Sequence, residues 1–473
     1  RAKLDDRWMV RRSTRTTRVR VLPHCDRGRR TSSRKSDLEL MTSIRPLVCL
    51  FAFLPLTACD GNNPIATDTT DHVIEQTSTT SPNDKAPRIE ISAPSSSVKN
   101  AAITTTSVSE PQLLEYETAK ISESFGEVTA TVENFVSNKN LNGAGLIVVD
   151  RDHGVRYHNH WGEFSSDRIS LIASTSKVVS AGVLVHLHER GLLDLEAPIS
   201  DVVNYAGRLG NITSAQLLSG SSGIPGLRAD DALYICMFLP TTSLQKCASD
   251  GLSIAASDPR TVSPDSQFRY GGISWQIAGA VAEMASGKSW SELIHEIYVE
   301  PCGLKSFGYT SPWIPLRAIS GAYPDWDGDL SLLPPTDNPH IGGGAYATTG
   351  DYGKLLSMHL NDGKCNGQQV LSEEGVAVMQ QNRSGEMYDS FIGYGLGWWT
   401  KEIVNYGGAA PEASHDPGPR RLRDPGLYGS TAWIQPDDGF GVYLIVESTS
   451  DIGNQLAEQL YPLIESAVVA SND

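Results

Sequence analysis

The N-terminal apolar run, Pro46–Ala58, holds only 13 residues, too few for an ordinary membrane-spanning helix, which needs roughly 20. No Cys/His set has zinc-ligand spacing, and no Gly-x-Ser-x-Gly elbow occurs, which argues against a zinc site and against an α/β-hydrolase nucleophile turn. His186 and His188 read as residues of an ordinary helix surface. Nothing in the chain implies a metal, a nucleotide or a flavin, so no cofactor is expected. Positive charge is scarce beyond residue 58, where 25 Lys/Arg face 50 Asp/Glu, a balance near −25. Such a charge opposes unspecific binding to nucleic acid or to an anionic membrane surface.

The basic residues that do exist are concentrated at the start. Residues 1–40 carry 13 Lys/Arg against 5 Asp/Glu with almost no apolar periodicity, and read as a basic upstream or disordered segment preceding a credible start at Met41. Residues 41–59 have the order of a secretory signal: Arg45, then the apolar run, then small Ala58 before Cys59. Leu56-Thr57-Ala58-Cys59 resembles a bacterial lipoprotein signal, in which Cys59 becomes lipidated; cleavage without a lipid and an uncleaved anchor are the alternatives. Asp60 resembles an inner-membrane retention signal. These features give the expectation of an exported, lipid-anchored protein on the periplasmic side of the inner membrane. Residues 60–110 form a Ser/Thr/Pro-rich tether that cannot bury enough apolar surface to offset ordering, and 111–470 are left for the folded domain.

Four cysteines lie in that domain. In an exported protein an even number suggests disulfides. Cys236 and Cys247 bracket a short loop and form the first candidate pair, which leaves Cys302 with Cys365; four free buried thiols are the alternative.

Periodicity gives a coarse map. Leu113 to Ser137 reads as helix, and Ala144 to Asp150 and Val155 to Trp161 as two strands around a turn. A long amphipathic segment follows from Val178 to Leu195, then a short helix from Thr213 to Ser219. Trp275 to Ala285 and Trp290 to Val299 are helical, and Gly342-Gly343-Gly344 turns the chain before a helix from Asp351 to Asn361. Ser430 to Gln435 and Gly441 to Val446 alternate as a hairpin across Pro436-Asp437-Asp438-Gly439, and Asn454 to Val468 closes the chain as a helix. Strands at both ends with helices between predict a mixed α/β fold, its sheet assembled from both ends around an inserted, mainly helical region.

Within this map Ser174-Thr175-Ser176-Lys177 stands out. A serine hydroxyl is a weak nucleophile without a base beside it, and residues i and i+3 share a helix face, so the Lys177 amine can reach Ser174. The same spacing recurs at Ser32/Lys35, Ser96/Lys99 and Ser243/Lys246. These lie in the basic head, in the Ser/Pro-rich tether and in an expected loop, whereas Ser174 sits between an apolar segment and the start of a long helix.

The block from Ala173 to Lys177 through Glu189-Arg190-Gly191-Leu192-Leu193-Asp194-Leu195 resembles the serine β-lactamase-like superfamily. Class C β-lactamases, penicillin-binding D-Ala-D-Ala carboxypeptidases and related esterases make up that group. Ile212 to Leu218, Ser222-Gly223-Ile224-Pro225, Phe268-Arg269-Tyr270-Gly271-Gly272, Gly342-Gly343-Gly344 with Asp351-Tyr352, and Tyr394 to Trp399 agree in order, over about residues 113–468. The resemblance implies a β-lactamase/transpeptidase-like fold, Ser174 as the acylated nucleophile, Lys177 as its proton partner and Tyr270 as general base and acid. It also implies an oxyanion hole from the Ser174 N–H and an N–H on a C-terminal strand. Two departures are evident. Gly272 stands where the family has Asn, and no Lys-Thr-Gly occurs. The third motif falls on Asp424-Pro425-Gly426 or on Tyr428-Gly429-Ser430, so Gly272, Asp424, Gly426, Tyr428 and Gly429 make up the expected substrate and oxyanion region. An Asp in place of a lysine would repel a β-lactam carboxylate. Arg420, Arg421 and Arg423 either restore positive charge or are solvated loop residues.

The expectation is a cell-envelope serine hydrolase acting on a small-molecule or peptide acyl substrate, ester or amide, through an acyl-Ser174 intermediate. A D-Ala-D-Ala carboxypeptidase, a β-lactamase, or a binding lipoprotein that kept the fold without the chemistry are the alternatives. Oligomeric state is not legible.

Overall fold

A computed structural model describes residues 123–227, 232–318, 321–385, 393–400 and 420–472. The basic head, the signal-like segment with Cys59 and the tether lie outside the described residues, as does 113–122 of the first expected helix. Among the described residues no helix is long and apolar enough to cross a membrane.

The central sheet has five strands: β1 (Gly143–Asp150), β2 (Gly154–Gly162), β3 (Leu422–Pro425), β4 (Ser430–Gln435) and β5 (Phe440–Ile445). Their order is β2-β1-β5-β4-β3, and every pairing is antiparallel. The first and last parts of the domain thus meet at its centre, Gly145 opposite Ile445 and Asp150 opposite Phe440. Side chains alternate across a strand, and both faces are covered. Leu146, Val148, Val442 and Leu444 pack with α1 (Gly126–Lys139) and the C-terminal helix (Ser450–Asn472). Ile147, Val149, Tyr443 and Ile445 belong instead to the large core shared with the inserted helices. That is why β1 is buried at every position.

The inserted region contributes α2 (Lys177–Glu189), α3 (Leu244–Ser257), α4 (Ile273–Ser286) and α5 (Thr349–Leu360); the C-terminal helix is α6. The helix α3 corrects the expected loop around Ser243. Its serine caps the helix by accepting the Lys246 N–H at 3.2 Å, and Lys246 pairs with Asp250, so this Ser-x-x-Lys repeat is a capping device. A short strand, Ala345–Ala347, intervenes between the triple glycine and α5.

Cys236 is bonded to Cys247 and Cys302 to Cys365, across sequence separations of 11 and 63. A longer closed loop restricts the unfolded chain more, by about 4 kcal/mol for the second bridge against about 3 for the first. Urea unfolding should therefore show Cys302→Ala/Cys365→Ala to be the more destabilised of the two double variants; an unchanged midpoint for that variant would contradict this.

Candidate active site

Ser174 lies in a single 3-10 turn, Ala173–Ser176, that runs directly into α2. Ala173 holds φ +46°, a left-handed conformation that costs a residue bearing a Cβ of order 1 kcal/mol or more. The surroundings fix that turn through its carbonyls. Ser430 Oγ donates to Ile172 O at 2.7 Å, Ser176 Oγ to Ala173 O at 2.5 Å, Tyr352 to Thr175 O at 2.9 Å and Tyr309 to Ser176 O at 2.8 Å. Thr175 Oγ1 lies 3.0 Å from Asp424 O and 2.8 Å from Ser430 Oγ, tying the turn to β3 and β4. Such clamps hold a nucleophile in one geometry.

Lys177 is 2 % exposed. Its Nζ donates to Ser174 Oγ at 3.0 Å and to Gly342 O at 2.5 Å. It also faces the rings of Tyr270 and Trp275, 4.8 and 5.5 Å from their centroids. Burial disfavours the ammonium and pushes the Lys177 pKa down to about 8, while Asp424 acts in the opposite direction. A fraction of the amine is therefore free base near neutral pH and can accept the serine proton. Asp424 is itself fully buried, and burial pushes its carboxyl well up, against the pull of Lys177. Its Oδ2 lies 3.4 Å from the Val178 N–H in the first turn of α2.

Tyr270 is half-buried. Its ring stacks on Trp399, 5.1 Å between centroids and 27° between planes, and meets Tyr394 edge-on. Gly272 has φ +77° and lies against another segment: a Cβ there would come within 3.0 Å of Gly226 C and 3.1 Å of Pro225 O. An asparagine would have to displace residues 225–227, which accounts for the first departure. Gly426 is the second obligatory glycine, since a Cβ would meet Ile172 O at 2.3 Å and Thr175 Oγ1 at 2.9 Å. The β3–β4 turn thus packs directly on the nucleophile turn. Gly426 N–H donates to Ser430 O and Gly429 N–H to Gly426 O, while the N–H groups of Ser174 and Leu427 donate to no acceptor among the described residues. Both are available to a developing oxyanion.

The structure brings Ser174, Lys177, Tyr270, Asp424 and Gly426 together. Tyr428 is fully buried beneath the turn, its hydroxyl donating to Ala318 O, and Gly429 completes the turn at φ +77°. Arg420 is an exposed residue outside the strand, as the solvated-loop reading has it, and donates to Gln380 O. Arg421 and Arg423 are not solvated: Arg421 pairs with Glu465 over the Tyr461 ring, and Arg423, 7 % exposed, lies toward the same ring. The role of Gly342 O escaped the sequence reading, because a carbonyl carries no side-chain signal; the expected second oxyanion N–H was not assigned to a residue, and the structure offers that of Leu427, in the turn just after β3. His340 lies close to Lys177. Burial and the nearby Lys177 push its pKa down to about 3.

The family model for Beta-lactamase matches residues 128–468. Penicillin-binding protein 4 of Amycolatopsis lactamdurans is 29% identical over 54% of this chain and 70% of its own length. The D-alanyl-D-alanine-carboxypeptidase/endopeptidase AmpH of Escherichia coli K12 is 24% identical over 46% of this chain and 57% of its own. Esterase/beta-lactamase LipL of Mycobacterium tuberculosis is 22% identical over 64% and 74%. Among solved structures, a putative beta-lactamase from Bacteroides dorei superposes with a TM-score of 0.55 at 24% identity, covering 74% of this chain and 99% of that one. EstCE1, a hydrolase with promiscuous acyltransferase activity, gives 0.57 at 17%, covering 76% and 100%. These likenesses share the fold.

The rate at which a fluorophosphonate modifies Ser174 should climb with pH, roughly tenfold per unit at first, and level off above about 8 as Lys177 loses its proton. Lys177→Ala should slow it about 10³-fold. A flat profile would exclude Lys177 as the base. The same shift has a stability sign: the folded state releases this proton at about 8 and the unfolded chain at 10.5. Stability from this group therefore rises with pH between those values, and below them the buried ammonium is a constant cost.

Proposed function

Because the chain belongs to the Beta-lactamase family of serine hydrolases, we propose that it hydrolyses an ester or amide through an acyl-Ser174 intermediate. The observation that carries this reading is the 3.0 Å contact between Ser174 Oγ and a buried Lys177 amine whose pKa is pushed down to about 8. Ser174 Oγ attacks the substrate carbonyl and its proton passes to neutral Lys177. The oxyanion is met by the N–H groups of Ser174 and Leu427. Collapse breaks the bond to the leaving alcohol or amine, which takes the proton back from Lys177, directly or through the Tyr270 hydroxyl. Water then repeats the sequence on the acyl-enzyme, with Lys177 again accepting and returning a proton.

Asp424 at the third motif, with all three neighbouring arginines turned elsewhere, favours ester or amide hydrolysis over efficient β-lactam turnover. The names of the relatives keep the carboxypeptidase and β-lactamase readings as the second choice. The signal-like segment ending at Cys59 is the basis for placing the activity in the cell envelope, on a lipid anchor. A binding lipoprotein without chemistry has less support, since Ser174, Lys177 and Tyr270 are all present and the Lys177 amine lies 3.0 Å from Ser174 Oγ.

Steady-state hydrolysis of p-nitrophenyl acetate, nitrocefin and a D-Ala-D-Ala peptide separates these readings. The ester should be turned over, and Ser174→Ala should lower that rate by about 10⁴-fold or more. Faster turnover of nitrocefin or the peptide would reverse the order of preference, and equal ester hydrolysis by the variant would remove Ser174 from the mechanism.

A further inference from the structure

The oxyanion hole of the hydrolase reading above, on which this inference rests, draws its two N–H groups from separate segments. Ser174 follows the short strand Ser170–Leu171, and Leu427 sits in the turn between β3 and β4. Such a hole works only if both donors are aimed at one point before the reaction starts. The spacing of the two segments therefore matters, and one buried carboxylate joins them. The Glu447 side chain is 0 % exposed. Its Oε1 accepts from Arg168 Nε at 3.0 Å and Ser170 Oγ at 2.7 Å, and its Oε2 from Arg168 Nη2 at 2.5 Å and Asn142 Nδ2 at 3.1 Å.

On one side these contacts reach the nucleophile segment. Ser170 and Leu171 pair antiparallel with Ala347 and Tyr346, and the Ile172 N–H donates to Ala345 O. Ser174 comes four residues after Ser170. On the other side, the neighbours of Glu447 hold the turn that carries Leu427: the Val446 N–H donates to Gly429 O at 3.3 Å and the Ser448 N–H to Tyr428 O at 3.1 Å. That contact is close, since a Cβ on Gly429 would lie 2.7 Å from Val446 Cγ2 and 3.3 Å from Ser448 N. Tyr323 makes a second link between the same segments, its hydroxyl accepting the Leu171 N–H at 3.2 Å and its ring meeting Tyr428 edge-on at 5.5 Å.

Folding alone does not account for this arrangement. Glu447 holds φ +44°, which is strained for a residue bearing a Cβ, and a buried ion pair gives up hydration that a well-packed apolar pair never had. What the pair does supply is fixed geometry, because the planar guanidinium meets the carboxylate with two N–H groups and Ser170 and Asn142 occupy its remaining acceptor sites. We propose that Glu447 is a positioning residue whose carboxylate holds the Ser174 and Leu427 N–H groups at the spacing that one oxyanion requires.

An ester and its thionoester read that spacing, because sulfur is a weaker hydrogen-bond acceptor than oxygen and gains less from the hole. With the Ser174→Ala background subtracted, wild-type kcat/KM for p-nitrophenyl acetate should exceed that for O-(p-nitrophenyl) thionoacetate by more than the ratio of their spontaneous hydrolyses. Glu447→Gln keeps the volume, removes the charge and sets an amide NH2 against Arg168. It should lower kcat/KM for the oxygen ester about 10²-fold, the effect of a small misplacement, and compress the oxygen-to-sulfur ratio at least roughly fivefold. Fluorophosphonate labelling of Ser174 should still level off above about 8, since Lys177 is untouched. Arg168→Lys keeps the charge but loses the paired N–H groups, and should compress the ratio by a smaller factor. A merely structural role lowers both rates alike and leaves the ratio where it was. An unchanged ratio in folded Glu447→Gln, or in Arg168→Lys should the first variant not fold, would overturn the proposal while the hydrolase reading stood, as would a wild type without the oxygen preference. Absence of Ser174-dependent turnover of the oxygen ester would overturn the hydrolase reading itself, and this inference with it.

Discussion

The burial of one amine beside one hydroxyl organises this molecule. An ammonium withdrawn from water is costly unless it is paired and hydrogen-bonded, and Lys177 is 2 % exposed. The structure offsets that cost with Gly342 O, the faces of Tyr270 and Trp275, and the charge of Asp424. The balance is incomplete, and the residual penalty is what lowers the pKa to about 8 and makes the amine a usable base. A better-paired lysine would be more stable as an ammonium and less able to accept a proton from Ser174.

The fold supplies those partners from distant parts of the chain. Gly342 lies 165 residues beyond Lys177, and Asp424 and Ser430 come from the C-terminal strands, which reach the site because the sheet interleaves both ends of the domain as β2-β1-β5-β4-β3. Clamping the Ile172, Ala173, Thr175 and Ser176 carbonyls with hydroxyls from Ser430, Ser176, Tyr352 and Tyr309 offsets the left-handed strain at Ala173. The site is thus assembled by tertiary packing, with few contacts that a local peptide could keep.

What could be read from the sequence was local. The Ser174/Lys177 pairing follows from helical geometry, and the hairpin of β4 and β5 from alternation around Pro436-Asp437-Asp438-Gly439. The mixed fold followed from strands at both ends. The helix α3 was hidden by its setting: Ser243, between Cys236 and Cys247, reads as loop. In the structure Ser243 caps the helix and Gly251 lets it approach Ile273, which a Cβ would meet at 2.4 Å. The fate of Arg420, Arg421 and Arg423 was illegible for another reason. Where a strand directs its side chains depends on register, and the paired sheet turns Arg423 toward Tyr461 and leaves Asp424 beneath α2, while Arg420 and Arg421, just before the strand, meet Gln380 and Glu465. The reason for Gly272 is likewise tertiary, since it lies in the approach of residues 225–227.

The central claim is that Ser174 forms a covalent acyl intermediate with Lys177 as its base. Rapid acid quenching after mixing with p-nitrophenyl acetate, followed by intact-mass measurement and peptide mapping, tests it most directly. The account predicts one added acetyl group on the peptide containing Ser174 in the wild type, and none on that peptide in Ser174→Ala or, on the same timescale, in Lys177→Ala. An adduct on another residue, or an adduct at Ser174 that forms at an undiminished rate without Lys177, would contradict it.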